Sequence, residues 1–340
     1  MMSVFEPTYR ELLRSGELSR RAGLLERMLV ACHICPWDCD VDRSLGTRST
    51  RKGVCCSDYN PVVAAHVPHF GEEPALVGAG GVGNIFFGRC NLRCVYCQNY
   101  QISQGELGDE VSIDDLAAMM LELQTKGCEA IGLVTPTHFV PQIVKALVVA
   151  AEGGLRLPLV YNSNAYDSPE VLRLMEGIVD IYLPDLKYSD DAAGRRYSRA
   201  KDYPRRAREA IREMHRQVGS RLWTDDAGVA RRGLIIRHLV LPGGLAGTKD
   251  VLRWIRDELG TKVTLSILAQ YYPNHRAAGF PPLHRPLTAA EYQEVLELVE
   301  ELGFKNGWVQ DLESRDCYRP NFDRRDKPFE VWPGRISRRQ

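Results

Sequence analysis

Most of the chemistry legible in this chain lies in two groups of cysteines. Eight of its ten cysteines fall between residues 32 and 97. The second group, Cys90, Cys94 and Cys97, follows directly on the apolar run NIFFG, in the segment GRCNLRCVYCQN. Three thiolates so close together can wrap one face of a four-iron cluster and leave its fourth iron open to an exchangeable ligand. A zinc ion held by three thiolates and a water is the competing chemistry, because soft thiolates suit both metals. The first group, Cys32, Cys35, Cys39 and Cys55, offers four thiolates, enough to close a zinc site or hold an iron–sulfur cluster. His33 and Cys56 are alternative ligands there. A metal at this group is expected to staple an N-terminal appendage that cannot build its own core. Cys128, after Gly127, reads as an ordinary buried thiol, and Cys317 carries no readable signal.

The elements that position these groups follow from the apolar pattern. The 340 residues hold 44% apolar residues, enough for a substantial core, and 44 basic against 44 acidic side chains. A formal charge of zero removes any global attraction to nucleic acid or anionic membrane. The charged N-terminus lacks a signal-peptide run, and nothing approaches about 18 consecutive apolar residues. A cytoplasmic protein is therefore expected, where ten cysteines point to metal or redox chemistry rather than disulfides. Continuous apolar runs at 84–88, 130–135, 157–162, 179–184, 233–241, 263–270 and 307–310 read as parallel strands buried on both faces. Amphipathic helices alternate with them. Ser112 and Thr248 stand as caps, Ser168-Pro169 opens a short helix, and Thr288 with Glu291 forms a capping box. The alternation predicts a parallel α/β fold, a barrel or an open sheet, over 84–312. Residues 1–83 are expected to be a helical, Cys-rich appendage and 313–340 an irregular tail.

The segment Cys-x3-Cys-x-aromatic-Cys, with Tyr96 in the aromatic place, resembles the radical S-adenosylmethionine family. The runs FFGRCNLRCVYCQNYQIS, VTPTHF (134–139), YNSNAY (161–166), YLPDLKY (182–188), RHLVLPG (237–243) and QYYP (270–273) are similar in order and spacing to its pyruvate formate-lyase activating enzyme-like group. The first cysteine group resembles the N-terminal Cys-rich motif of that group. The resemblance implies a partial (β/α)6 barrel and a [4Fe-4S] cluster on Cys90, Cys94 and Cys97. It implies S-adenosylmethionine cleaved to methionine and a 5′-deoxyadenosyl radical, an electron donor such as flavodoxin or ferredoxin, and a substrate that includes glycyl-radical enzymes among its candidates. Residue by residue, it implies cosubstrate contacts from Tyr96, Asn99, Asn162, Asp185, Lys187 and Arg237. Asp185 and the cations Lys187 and Arg237 would hold opposite ends of a zwitterionic amino acid. His138 stands where many members have Glu, a departure from the pattern.

Two further signals compete. Gly78–Gly83 satisfies G-x-G-x-x-G, but a dinucleotide fingerprint needs a strand before it and a helix after, whereas an apolar run follows here. Residues 195–216 hold nine Arg and Lys with few acids, which could grip RNA; a zinc-stapled nucleic-acid-binding protein is the alternative reading. That alternative leaves Cys90, Cys94, Cys97, Asp185 and Lys187 without a role.

Overall fold

The computed structural model describes residues 5–44, 52–316, 319–329 and 336–338. Cys317 lies outside them. Among the described residues eleven strands form one sheet: β1 (Val62–His69), β2 (Val82–Phe87), β3 (Asp109–Glu110), β4 (Ala130–Val134), β5 (Leu159–Ser163), β6 (Ile181–Pro184), β7 (Trp223–Thr224), β8 (Ala230–Leu239), β9 (Thr264–Leu268), β10 (Gly307–Gln310) and β11 (Ile336–Arg338). The order runs β11-β10-β9-β8-β6-β5-β4-β2-β1-β3, with β7 on β8. From β2 to β10 every neighbour in this order is parallel, while β1, β3 and β11 add antiparallel edges. Each expected strand is present.

The two faces of the sheet bury different layers. Ile85, Ile131, Leu133, Tyr161, Ile236 and Ile267 pack with the helices, including Ile113–Thr125 and Val140–Glu152. Val82, Ala130, Val160, Ile181, Ile235 and Trp308 meet one another on the other face, with Leu76 among them. Side chains from β2 through β10 can converge only if the sheet curls, so the fold is a partial, TIM-like barrel whose concave face is closed by the short helix Pro74–Val77. Glu72 and Glu73 directly precede this helix.

Helix starts follow the sequence closely. Ser112 with Asp115 and Thr288 with Glu291 both form capping boxes. Thr248 differs: Gly247, at φ +63°, is the cap, and the Thr248 hydroxyl instead lies 2.9 Å from His238 Nε2. Before residue 84 no strand was expected, yet β1 pairs with β2. Its Val-Val-Ala-Ala run is too short and weakly apolar to announce a strand without its partner. The tail is not wholly irregular either: β11 pairs with β10, and Phe322 and Phe329 pack around Phe86. The glycine run has a short helix before it and β2 after it, the reverse of the dinucleotide order. Gly80 is there for closeness: a Cβ would stand 1.9 Å from the Gly127 carbonyl.

Candidate active site

The second cysteine group leaves β2 through a turn at Gly88 and Arg89, where φ is +66° at Arg89. Gly88 is required because a Cβ would press to 2.6 Å from Val62. All three thiols are withdrawn from water, Cys97 less completely than Cys90 and Cys94. Burial, then the neighbouring Cys94 and Cys97 sulfurs, pushes the Cys90 thiol up to about 12. Burial and Cys94 push Cys97 to about 11, and burial raises Cys94. Three thiolates therefore coexist here only when a cationic body neutralises them, which suits a metal cluster.

Each sulfur has its own polar neighbour. The Leu92 amide donates to Cys90 Sγ at 3.3 Å, and Asn164 Nδ2 approaches the same sulfur at 3.6 Å. Ser103 Oγ is 3.2 Å from Cys97 Sγ, and Ser198 Oγ is 2.9 Å from Cys94 Sγ. Behind Ser198 stand Tyr188 at 2.7 Å and then Tyr96 at 2.6 Å. A thiolate only accepts hydrogen bonds, so with Cys94 ionised the Ser198 hydroxyl must donate to it. Tyr188 then donates to Ser198 and Tyr96 to Tyr188.

Beside this loop, at the carboxyl ends of the strands, lies a cavity of about 110 Å³. Glu72, Glu73, Asn99, Asn162, Arg237 and Gln270 are among its lining. A larger groove, about 950 Å³, sits at the opposite ends of the strands beside Thr264 and Gly307, away from the cysteines. In such barrels chemistry belongs to the carboxyl ends.

The expected cosubstrate residues are divided between this cavity and its surroundings. Asn99 and Asn162 face the cavity. Lys187 Nζ and Asp185 Oδ2 form a half-buried ion pair of 2.6 Å. Burial works against the Lys187 charge, but Asp185 and the Cys94 sulfur outweigh it and raise its pKa. Arg237 lies one strand away, its backbone bridged to Asp185. Its guanidinium is already paired, to Glu73 at 2.6 and 2.7 Å and to Glu72. Asp185 and Lys187 lie outside the cavity lining, and His138 and Tyr96 are buried away from it. His138 is buried beneath the loop with Nε2 3.0 Å from the Gly88 carbonyl; burial, then Arg43, lowers its pKa to about 3. It is neutral and supports the turn into Cys90. Tyr96 is buried in the hydroxyl chain, its ring against Tyr271.

Ser103, Ser198, Glu72 and Glu73 were not legible as site residues. Their positions depend on chain crossings that leave no local pattern, although the paired acids between β1 and β2 were a visible signal.

In the first group, burial and the neighbouring sulfurs raise the Cys35 and Cys39 thiols, each feeling both Cys32 and Cys55. Cys32, Cys35, Cys39 and Cys55 therefore lie in one neighbourhood. Cys56 is exposed and turns away, its sulfur 3.2 Å from Arg93 Nη2, and His33 is exposed. The two cysteine loops interlock: Trp37 Nε1 donates to the Asn91 carbonyl at 2.6 Å, and Arg93 donates to the Val54 carbonyl at 2.9 Å. Among the described residues, no three His, Cys, Asp or Glu are gathered as for a single metal ion. Tetrahedral zinc would hold thiolates roughly 3.8 Å apart, whereas a cluster of several atoms takes a wider set.

Residues 84–224 match the family described as the Radical SAM superfamily. The matched stretch runs from β2 through Cys90, Cys94, Cys97, Asp185 and Lys187. The uncharacterized protein MJ0674 of Methanocaldococcus jannaschii is 29% identical over 301 residues, 86% of this chain and 80% of that protein. The uncharacterized protein MJ0808 of the same organism is 23% identical over 316 residues, 86% of this chain and 85% of that protein. Among solved structures, TYW1 with a lysine-pyruvate adduct bound aligns with a TM-score of 0.43 at 12% identity, over 68% of this chain and 78% of that one. HydG, a maturase of the [FeFe]-hydrogenase, aligns with a TM-score of 0.44 at 13% identity, over 65% of this chain and 49% of that one. Likenesses this remote say nothing of substrate. No helix among the described residues is long and apolar enough to cross a membrane.

Proposed function

We propose that this chain is a radical S-adenosylmethionine enzyme of the activating-enzyme-like kind. The observation that carries the reading is the set of three buried thiols, each with its own polar neighbour, beside the Asp185–Lys187 pair. When bound, a [4Fe-4S] cluster and S-adenosylmethionine supply one-electron cleavage to methionine and a 5′-deoxyadenosyl radical that abstracts hydrogen from substrate. Cys90, Cys94 and Cys97 would hold the cluster. Asp185 and Lys187 would hold the charged ends of the methionyl group, and Asn99 and Asn162 would meet the cosubstrate from the cavity wall.

Arg237 has a different part in this reading from that implied by the family pattern. Its charge is met by Glu72 and Glu73, so it fixes two carboxylates at the cavity floor, while Lys187, among the described residues, is paired with Asp185 alone. The group Glu72, Glu73 and Arg237 keeps one net negative charge, which favours a neutral or cationic reacting group. The resemblance to activating enzymes points to hydrogen abstraction from a protein such as a glycyl-radical enzyme. The first cysteine group holds a structural metal, zinc or iron, that pins its loop against the second. In the cytoplasm the reductant would be a flavodoxin or ferredoxin.

Anaerobic reconstitution with iron and sulfide tests the reading. A brown protein with about four irons at the second group is expected, and Cys94→Ala should lose them. Deuterated candidate substrates then report the hydrogen donor through label in 5′-deoxyadenosine; exchange from none of them, glycyl-radical enzymes included, would remove the substrate assignment.

A further inference from the structure

The basic stretch 195–216 divides into two parts. Arg195 pairs with Asp191, Arg205 with Asp202 and Glu209, Arg212 with Glu258, and Arg216 with Glu176 and Glu213. Arg206 stands 4.0 Å from Asp202, and Arg208 is recessed over the Trp254 ring. These cations are balanced or withdrawn, and they make a poor grip for a phosphate chain.

Arg196, Arg199 and Lys201 are the exception. All three are exposed, and among the described residues none forms an ion pair. They bracket Ser198, the residue whose hydroxyl touches Cys94 Sγ. The turn is strapped to the cysteine loop by backbone bonds from Arg93 N to Ser198 O (3.1 Å) and Val95 N to Tyr197 O (2.8 Å). On the same loop Arg276 N donates to Val95 O at 2.8 Å. The Arg276 side chain is exposed and, among the described residues, hydrogen-bonds to Gln104 and His275. Four exposed cations without an ion pair among the described residues therefore sit on the two segments strapped to the Cys94 loop, on a protein whose formal charge is zero.

We infer that this turn, with Arg196, Arg199, Lys201 and Arg276, is the docking surface for a small acidic one-electron carrier protein. The inference rests on the proposed function, because it needs a redox centre at Cys94. The carrier gives up one electron and the oxidised cluster gains it; no bond forms or breaks. Complementary charge would bring an acidic carrier to the point where only buried Ser198 separates the cationic turn from a cluster ligand. An RNA partner would gain nothing from that proximity, and the one aromatic ring in the turn, Tyr197, is buried.

The test uses reconstituted full-length protein and reduced flavodoxin as the acidic carrier. Binding is measured by titration calorimetry at low and moderate salt, and 5′-deoxyadenosine formation is followed with either flavodoxin or dithionite as reductant. The triple variant Arg196→Glu, Arg199→Glu, Lys201→Glu should bind flavodoxin about tenfold more weakly or worse and lose most of the salt dependence. Its flavodoxin-driven rate should fall in step, while the dithionite-driven rate stays at the wild-type value. The control triple Arg221→Glu, Lys262→Glu, Lys305→Glu, in the groove at the far end of the barrel, should bind flavodoxin as the wild type does. Equal loss in both triples would overturn the docking surface. So would unchanged flavodoxin binding in the first, whether or not it has lost affinity for a single-stranded RNA. Failure of the wild type to cleave S-adenosylmethionine with dithionite would instead sink the proposed function, and calorimetry would still decide the surface.

Discussion

The Ser198 hydroxyl lies 2.9 Å from the sulfur of Cys94 and ends a chain of three hydroxyls that begins at Tyr96. Donation to a cluster thiolate stabilises the reduced, more negative state, so hydrogen bonds to sulfur raise a reduction potential. Ser198→Ala should therefore lower the midpoint potential of the reconstituted cluster while leaving its iron content intact. Tyr188→Phe should shift it the same way by less, since Ser198 keeps its own hydrogen. A redox titration followed by electron paramagnetic resonance reads both; an unchanged potential in Ser198→Ala would show that the contact is only packing.

Arg237 and the pair Glu72–Glu73 form the most deeply buried charge group at the cavity, with Glu73 at 1% exposure. Burial opposes the Glu72 charge, but the Arg237 guanidinium outweighs it and lowers the carboxyl pKa. Removing one member of a buried ion group costs about 3–5 kcal/mol when the remaining charge is left alone. Glu72 still faces Arg237 in Glu73→Ala, so a loss of about 3 kcal/mol, the lower end, is expected in urea denaturation. Because the folded pKa of Glu72 is depressed, its stabilisation is full above the ordinary carboxylate range and is lost as pH falls through the lowered value.

Asp180 behaves with the opposite sign. Burial raises its carboxyl to about 7, although it accepts a hydrogen bond from the Leu159 amide at 3.0 Å. The folded state then holds a proton that the unfolded state has released, so stability falls as pH rises from the ordinary carboxylate range to about 7. Asp180→Asn keeps an acceptor for Leu159 and removes the titration. Thermal melts should nearly coincide at about pH 5 and favour the variant at about pH 8.

Cys55 and Cys56 are adjacent yet face different surroundings. The Cys55 charge acts on Cys35 and Cys39, whereas Cys56 is exposed beside Arg93. Cys55→Ala should lose the metal of the first group and destabilise the N-terminal loop, while Cys56→Ala should retain both. Metal analysis of the two purified variants decides this; equal metal in both would remove Cys55 from the ligand set.

The parallel strands and the cysteine loop were legible in the sequence because both are local. Continuous apolar runs announce buried strands, and Cys90, Cys94 and Cys97 lie within eight residues. What sequence reading missed depends on distant segments meeting. Ser198 is 104 residues from Cys94, and Glu73 is 164 from Arg237. His138 could be aligned with a family Glu, but only packing shows that its ring lies under Gly88 rather than in the cavity. The basic stretch shows its balance only when folded: Asp202, Glu209 and Glu213 within it pair with its arginines, and Asp191, Glu176 and Glu258 reach it from outside.

The central claim is that Cys90, Cys94 and Cys97 support reductive cleavage of S-adenosylmethionine. The most direct measurement is 5′-deoxyadenosine released when anaerobically reconstituted protein is mixed with dithionite and S-adenosylmethionine, for the wild type and Cys94→Ala. The wild type should release product and the variant none. A colourless wild-type protein that retains only zinc and releases no 5′-deoxyadenosine would contradict it.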